Sequence, residues 1–304
     1  MNESYLNAVR LLLAVAPAVF REPLFALKGG TAINLFVRDM PRLSVDLDLV
    51  IADHAASRDE ALGAVSAALE SIRSELVDDL GLRCELGAMS EGPEVKLFIE
   101  RGRTRIKVEV NHVFRGTVLP SAKRPLVESA QGLFFTDIEL PVLHPDELYG
   151  SKLVAAMDRQ HPRDFFDVLC LFDEGGLTAA VIECFVCYLA GHNRPVHEIL
   201  FGNEIDIGSA FANEFQGMTR DPVSLDDLLD VRRRLFAELP AALTAGQRAF
   251  LLGLVTGEPD WSLMTCPHLR DMPAIRWKLE NLSRLQQANP KKFALQAAEL
   301  EARL

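Results

Sequence analysis

The stretch Leu27-Lys28-Gly29-Gly30-Thr31, followed by Arg42-Leu43-Ser44-Val45-Asp46-Leu47-Asp48-Leu49, decides the reading of this chain. Val45, Leu47, Leu49 and Ile51 alternate with Asp46 and Asp48. A period of two marks a strand with one buried face, so both aspartates stand together on the opposite face. Two carboxylates this close repel unless a cation lies between them. Mg2+ suits such a pair, because it takes oxygen ligands and commonly binds through one or two carboxylates plus substrate phosphates. Upstream, Gly29-Gly30 feeds a short helix predicted over Thr31–Val37. A backbone without side chains lets a phosphate approach closely, and a helix start offers unpaired N–H groups and a positive dipole end.

Taken singly, the aspartates read as two solvated acids and the glycines as a tight turn. Together, one short amphipathic stretch apart, they form the chemistry set of a metal-dependent enzyme acting on a nucleoside triphosphate.

Strands are predicted over Leu82–Leu86, Glu94–Glu100 and Thr104–Val113, the last two joined as a hairpin through Arg101-Gly102-Arg103. On the last strand Arg103, Arg105, Lys107, Glu109 and Asn111 share one face, and Ile106, Val108 and Val110 the other. Glu109 reads two ways: a third carboxylate for a second metal or for general-base work, or a salt-bridge partner of Lys96 and its own neighbours. From Arg101 to Arg124 the chain carries Arg101, Arg103, Arg105, Lys107, Arg115, Lys123 and Arg124 against Glu109 alone. Such a strip steers an anion or is simply a solvated strand face.

Helices are predicted over Ser4–Phe20, with Ser4 as cap, and over Ser57–Leu80; Thr136–Leu143 reads as a short strand. After His144 the pattern turns helical: Asp146–Arg159, Arg163–Asp173, Thr178–Ala190, Ser224–Glu238, Thr244–Thr256 and Pro273–Gln287, with Gly191–Pro222 as a loop-rich insert. Lys152 and Arg159, two turns apart, share a helix face and suit a triphosphate tail. Asp164 and Asp167 are neighbours on the next helix. Asp164 reads as favourable charge at the helix start. Asp167 lies between Phe166 and Val168 and needs a partner, for which Lys152 is the obvious choice.

The chain has 304 residues, 49% hydrophobic and 25% charged, with a net charge of −11. These values fit a globular protein with a real core. The bulk charge does not advertise a nucleic-acid binder. Five cysteines do not make a disulfide framework at this length. Cys184 and Cys187 fall in an apolar helix and read as buried thiols. No apolar run reaches the length of a membrane span, and the start of the chain has no basic leader. A cytoplasmic protein without membrane partners is expected.

The motifs Lys-Gly-Gly-Thr-Ala, Arg-x-Ser-x-Asp-Leu-Asp, Glu-Leu-x-x-Ser-Lys-Leu-x-Ala and Arg-x-x-Pro-Arg-Asp-x-x-Asp, in this order, resemble the AbiEii nucleotidyltransferase family. Its members are toxins of type IV toxin–antitoxin systems and include the MenT-type toxins. The resemblance covers roughly residues 27–48 and 144–171, with weaker support at 107–110. It implies that Asp46, Asp48 and Glu109 bind Mg2+, two ions being expected. It implies that Lys28, Gly29, Gly30, Thr31, Arg42, Ser44 and Arg159 contact the nucleotide. Lys152 would hold the triphosphate or acceptor end, and Asp167 would complete the site. The implied reaction moves a nucleoside monophosphate from an NTP to an acceptor, the 3′ end of tRNA in the family, and so blocks translation; a cognate antitoxin is the implied partner.

The expected fold is therefore α/β (α+β). Residues 1–143 would form a nucleotidyltransferase-like N-terminal lobe with a mixed sheet, and residues 144–304 an all-helical C-terminal lobe completing the active site. Two alternatives stay open: a small-molecule nucleotidyltransferase of the aminoglycoside type, and a non-catalytic NTP- or partner-binding protein of the same fold.

Overall fold

A computed structural model describes residues 2–87, 94–111 and 113–304. The chain divides into two compact units: Met1–Leu148 with Gln216–Pro222, and Tyr149–Phe215 with Val223–Leu304. The division falls inside one helix, five residues beyond the boundary expected near 143.

The first unit runs α1 (Glu3–Val19), β1 (Phe25–Lys28), α2 (Gly29–Ala32), β2 (Asp46–Ile51), α3 (Arg58–Asp78), β3 (Arg83–Leu86), β4 (Glu94–Arg101), β5 (Thr104–Asn111), β6 (Ala122–Pro125), α4 (Glu128–Phe134) and β7 (Glu139–Val142). Among the described residues these strands form one sheet in the order β3-β4-β5-β2-β1-β7-β6. It is mixed: β2 pairs parallel with β5, and β1 parallel with β7, while the other pairs are antiparallel. The strand predicted over Thr104–Val113 is observed as Thr104–Asn111, and His112 lies outside the described residues.

The alternation read in β2 is what the sheet uses. Leu47, Leu49, Leu97, Ile99, Val108 and Val110 are fully buried on one face, where the apolar stripes of α1 and α3 lie against the sheet. Burying side chains of this size stabilises by about 1.5–3 kcal/mol each, which pins the register and leaves Asp46 and Asp48 on the other face.

Several boundaries differ from expectation. The cap of α1 is Asn2, whose side chain accepts from Ser4 N–H at 3.0 Å, two residues before the predicted Ser4. The helix expected over Thr31–Val37 begins at Gly29 and widens into a π-helical turn at Ile33–Val37, closed by Arg38 N–H on Ile33 O. The part of Gly191–Pro222 nearest its end is a return to the first unit. Thr219 pairs with Arg42, Leu43 N–H donates to Met218 O, and Arg220 N–H donates to Pro41 O. Asn2 N–H donates to Gly217 O. The residues leading into β2 are thereby tied down.

The helix α5 (Pro145–Arg159) carries the chain into the second unit. That unit contains α6 (Pro162–Asp173), α7 (Ala179–Ala190), α8 (Val196–Leu200), α9 (Gly208–Glu214), α10 (Leu225–Ala242), α11 (Ala245–Thr256), α12 (Pro273–Ala288) and α13 (Pro290–Glu301). The expected loop-rich insert therefore holds α8 and α9. Helix α7 is buried almost all round, as expected of a core helix. Cys184, Cys187 and Cys266 are buried and Cys84 and Cys170 half-buried, with no disulfide among the described residues. Among the described residues no helix is long and apolar enough to cross a membrane.

Candidate active site

The glycine turn and the aspartate motif of the first unit interlock. Gly29 has φ +74°, a backbone conformation that glycine adopts without cost. A side chain built on it would collide with the Asp48 carboxylate, which packs against its α-carbon. A Cβ on Gly30 would lie 2.7 Å from Arg42 Nη2 and 2.9 Å from Ser44 Oγ. Arg42 is only 2% exposed and donates to its neighbour's carbonyl, Leu43 O, at 2.9 Å. Thr31 is fully buried; its hydroxyl donates to Asp46 O at 2.5 Å and lies 3.0 Å from Ser44 Oγ. Asn34 Nδ2 donates to Gly30 O at 2.9 Å. Arg42, Ser44 and Thr31 thus hold the glycine turn against β2 from behind.

The register then sets the chemistry of the open face. Lys28 on β1 pairs with Asp48 on β2, Asp48 with Glu109 on β5, and Glu109 with Lys96 on β4. One row further, Asp46 pairs with Lys107 and Lys107 with Phe98. Three carboxylates, Asp46, Asp48 and Glu109, therefore share one sheet face in adjacent rows. Glu109 is 3.2 Å from Lys96 Nζ and bonded also to Lys107. The salt bridge that sequence left open is present. Burial opposes charge on Lys107, but its hydrogen bond to Glu109 and the charges of Asp46, Glu109 and Asp48 outweigh it and raise its pKa. Lys96 and Lys107 supply the positive charge that lets these acids stand close. Among the described residues no three acidic, His or Cys side chains are arranged to hold a metal by themselves.

In the second unit the structure brings Lys152, Arg159 and Asp167 together around Asp164, which the sequence reading gave only to helix-start charge. Lys152 Nζ lies 2.8 Å from Asp164 Oδ1 and 3.0 Å from Asp167 Oδ2. Arg159 reaches Asp164 with Nε at 2.5 Å and Nη2 at 2.9 Å. Lys152, Asp164 and Asp167 are buried, whereas more than half of the Arg159 side chain is exposed. Burial works against the charged form of Asp164, but Lys152 and Arg159 outweigh it and hold its pKa far below the usual carboxylate range. Asp164 is thus the hub of a buried ion cluster. The signal was its i, i+3 spacing to Asp167 combined with two cations one helix earlier; helix-start charge explained it too easily.

A family model for AbiEii, the nucleotidyl transferase toxin of type IV toxin–antitoxin systems, matches residues 10–281. The chain belongs to this family and is a nucleotidyltransferase using a nucleoside triphosphate. Among solved structures it is similar to the nucleotidyltransferase toxin MenT4 of Mycobacterium tuberculosis, with a TM-score of 0.59 and 18% identity. That similarity spans 93% of this chain and 94% of the other, and at this identity it is a likeness of fold. A comparison with curated proteins gives no match.

Proposed function

We propose that this chain is a Mg2+-dependent toxin that transfers a nucleoside monophosphate from an NTP to a tRNA 3′ end and so stops translation. The observation that carries the reading is the packing of Asp48 against Gly29: carboxylate and side-chain-free backbone meet at one point, where a metal-bound triphosphate needs both. Asp46 and Asp48 fit the metal, being two hard oxygen donors on one face, with substrate phosphates to complete the set. The ion, when bound, neutralises the triphosphate and polarises the phosphorus under attack.

The chain's own residues do the rest. Gly29 and Gly30 give the phosphates backbone access, with Thr31, Arg42 and Ser44 fixing the turn. Lys28, in register with Asp48, adds charge beside it. Glu109 is the third carboxylate of the proposal. In the second unit Lys152 and Asp167 act as positioning residues around Asp164, which holds the half-exposed Arg159 guanidinium in place. The cytoplasm is the compartment where such a donor and acceptor occur, and a cognate antitoxin is the partner the family implies.

The test incubates the purified chain with Mg2+, each α-labelled NTP in turn, total tRNA and cell extract, with Asp46→Asn as control. Label on tRNA from the wild type alone supports the reading and names the base. Label on a small molecule or polypeptide replaces the acceptor. NTP binding without any transfer favours the non-catalytic alternative.

A further inference from the structure

On the carboxylate face the β4–β5 hairpin carries a feature that metal and phosphate binding do not use. Phe98 stands in the same row as Lys107 and Asp46, two strands from the aspartate. At a strand spacing of about 4.8 Å that is roughly 10 Å, the span of one nucleotide. The Arg105 guanidinium lies over the Phe98 ring, its Cζ 4.2 Å from the centroid, and Nε is 3.4 Å from Glu100 Oε1. Arg105 and Glu100 are directly paired across the hairpin, so ring and carboxylate hold the guanidinium from two sides. About half of the Arg105 side chain is exposed. On the neighbouring strand end, a Cβ at Gly87 would lie 3.3 Å from Phe98 Cε2, so glycine there lets the backbone pass close to the ring edge.

An arginine is ordinarily a mobile cation. Here ring and carboxylate already orient its plane, so less conformational freedom remains to be lost on stacking. Planar guanidinium groups and aromatic rings are the surfaces on which unpaired bases stack, with little sequence preference. We propose that Arg105, laid on Phe98, is a stacking subsite for one nucleobase of the substrates, positioned beside the Asp46 row. The inference rests on the metal-and-nucleotide reading of this face. The base comes either from the donor NTP or from the acceptor's end; the stacking chemistry is the same.

Full-length protein is titrated without turnover with two probes: an α,β-methylene NTP analogue, and a short single-stranded RNA ending in 3′-terminal 2-aminopurine. Wild type is compared with Arg105→Lys, which keeps the charge but loses the plane, and with Phe98→Leu, which keeps apolar bulk. Thermal melts check that each variant is folded. Both variants are expected to weaken one probe on the order of tenfold, and in the labelled-NTP transfer assay KM for that substrate should rise more than kcat falls. Loss confined to the analogue assigns the donor base; loss confined to the RNA, with less 2-aminopurine quenching, assigns the acceptor base. Wild-type affinity for both probes in Arg105→Lys overturns the subsite while leaving the metal reading standing. Failure of the wild type to bind either probe overturns both.

Discussion

The carboxylate of Asp48 packs against the α-carbon of Gly29, across the antiparallel β1–β2 pair, at a φ of +74°. Any side chain at position 29 must both enter left-handed backbone space, at about 1–2 kcal/mol, and displace the acid. Gly29→Ala should therefore lower nucleotide transfer by on the order of a hundredfold, the cost of a misplacement of about 1 Å. Initial rates at saturating NTP check this. An unchanged rate would show that Asp48 does not need its place beside the turn.

The buried cluster makes a stability prediction. Asp164→Ala leaves Lys152 and Arg159 without their shared carboxylate and should cost about 3–5 kcal/mol in denaturant unfolding at neutral pH. The same group sets an acid response. Its folded pKa lies below its ordinary value of 3.8, so in acid the unfolded chain binds more protons than the folded one. The contribution is fully present above that ordinary value and is lost as pH falls through the folded one. The gap between wild type and Asp164→Ala should narrow below about pH 4. A gap that widens there would contradict it.

Lys278 predicts the opposite end of the pH scale. It is buried and donates to His192 O at 2.9 Å and Arg194 O at 2.6 Å. Burial pushes its pKa down from 10.5 to about 8. Between those values the unfolded chain holds the extra proton, so stability from this residue rises with pH. Wild type should gain on Lys278→Met in unfolding free energy as pH is raised from 8 toward 10. Equal slopes for the two proteins would refute the shift.

Gly150 tests close packing against helix propensity. Alanine is favoured over glycine inside a helix by about 1 kcal/mol. Here, however, a Cβ would lie 2.6 Å from Phe185 N and 2.7 Å from Cys184 C. Those are backbone atoms of α7 and cannot swing aside. Gly150→Ala should destabilise by about 1–3 kcal/mol, reversing the propensity sign; a higher melting temperature would show that α5 and α7 can part.

Where a side-chain pattern dictates structure, sequence was sufficient. The alternation told that Asp46 and Asp48 share one face of β2 and that Glu109 lies on the polar face of β5. The helices expected from Asp146 and Arg163 begin one residue earlier, at Pro145 and Pro162, where a first turn tolerates proline. Short elements left no such trace. In β1 Phe25, Ala26 and Leu27 are all buried, so a four-residue strand shows no period. β6, α4 and α13 were missed, and the π-helical turn changes no residue type. Pairing between strands is a long-range property: Glu109 lies between Lys96 and Lys107 only because β4 and β5 meet in one register. The hub role of Asp164 likewise depends on how α5 and α6 close on each other.

The return of Gln216–Pro222 to the first unit has a consequence for biosynthesis. The loop holding Arg42 gets its strand partner, Thr219, only after the ribosome has made much of the second unit. A nascent chain cut short at Leu148 has every motif of the carboxylate face but not the segment that ties Pro41 and Leu43 in place. Prematurely terminated or proteolytically clipped products that lack this segment should therefore be poor catalysts, and the order of synthesis itself delays activity until the chain has grown past Pro222.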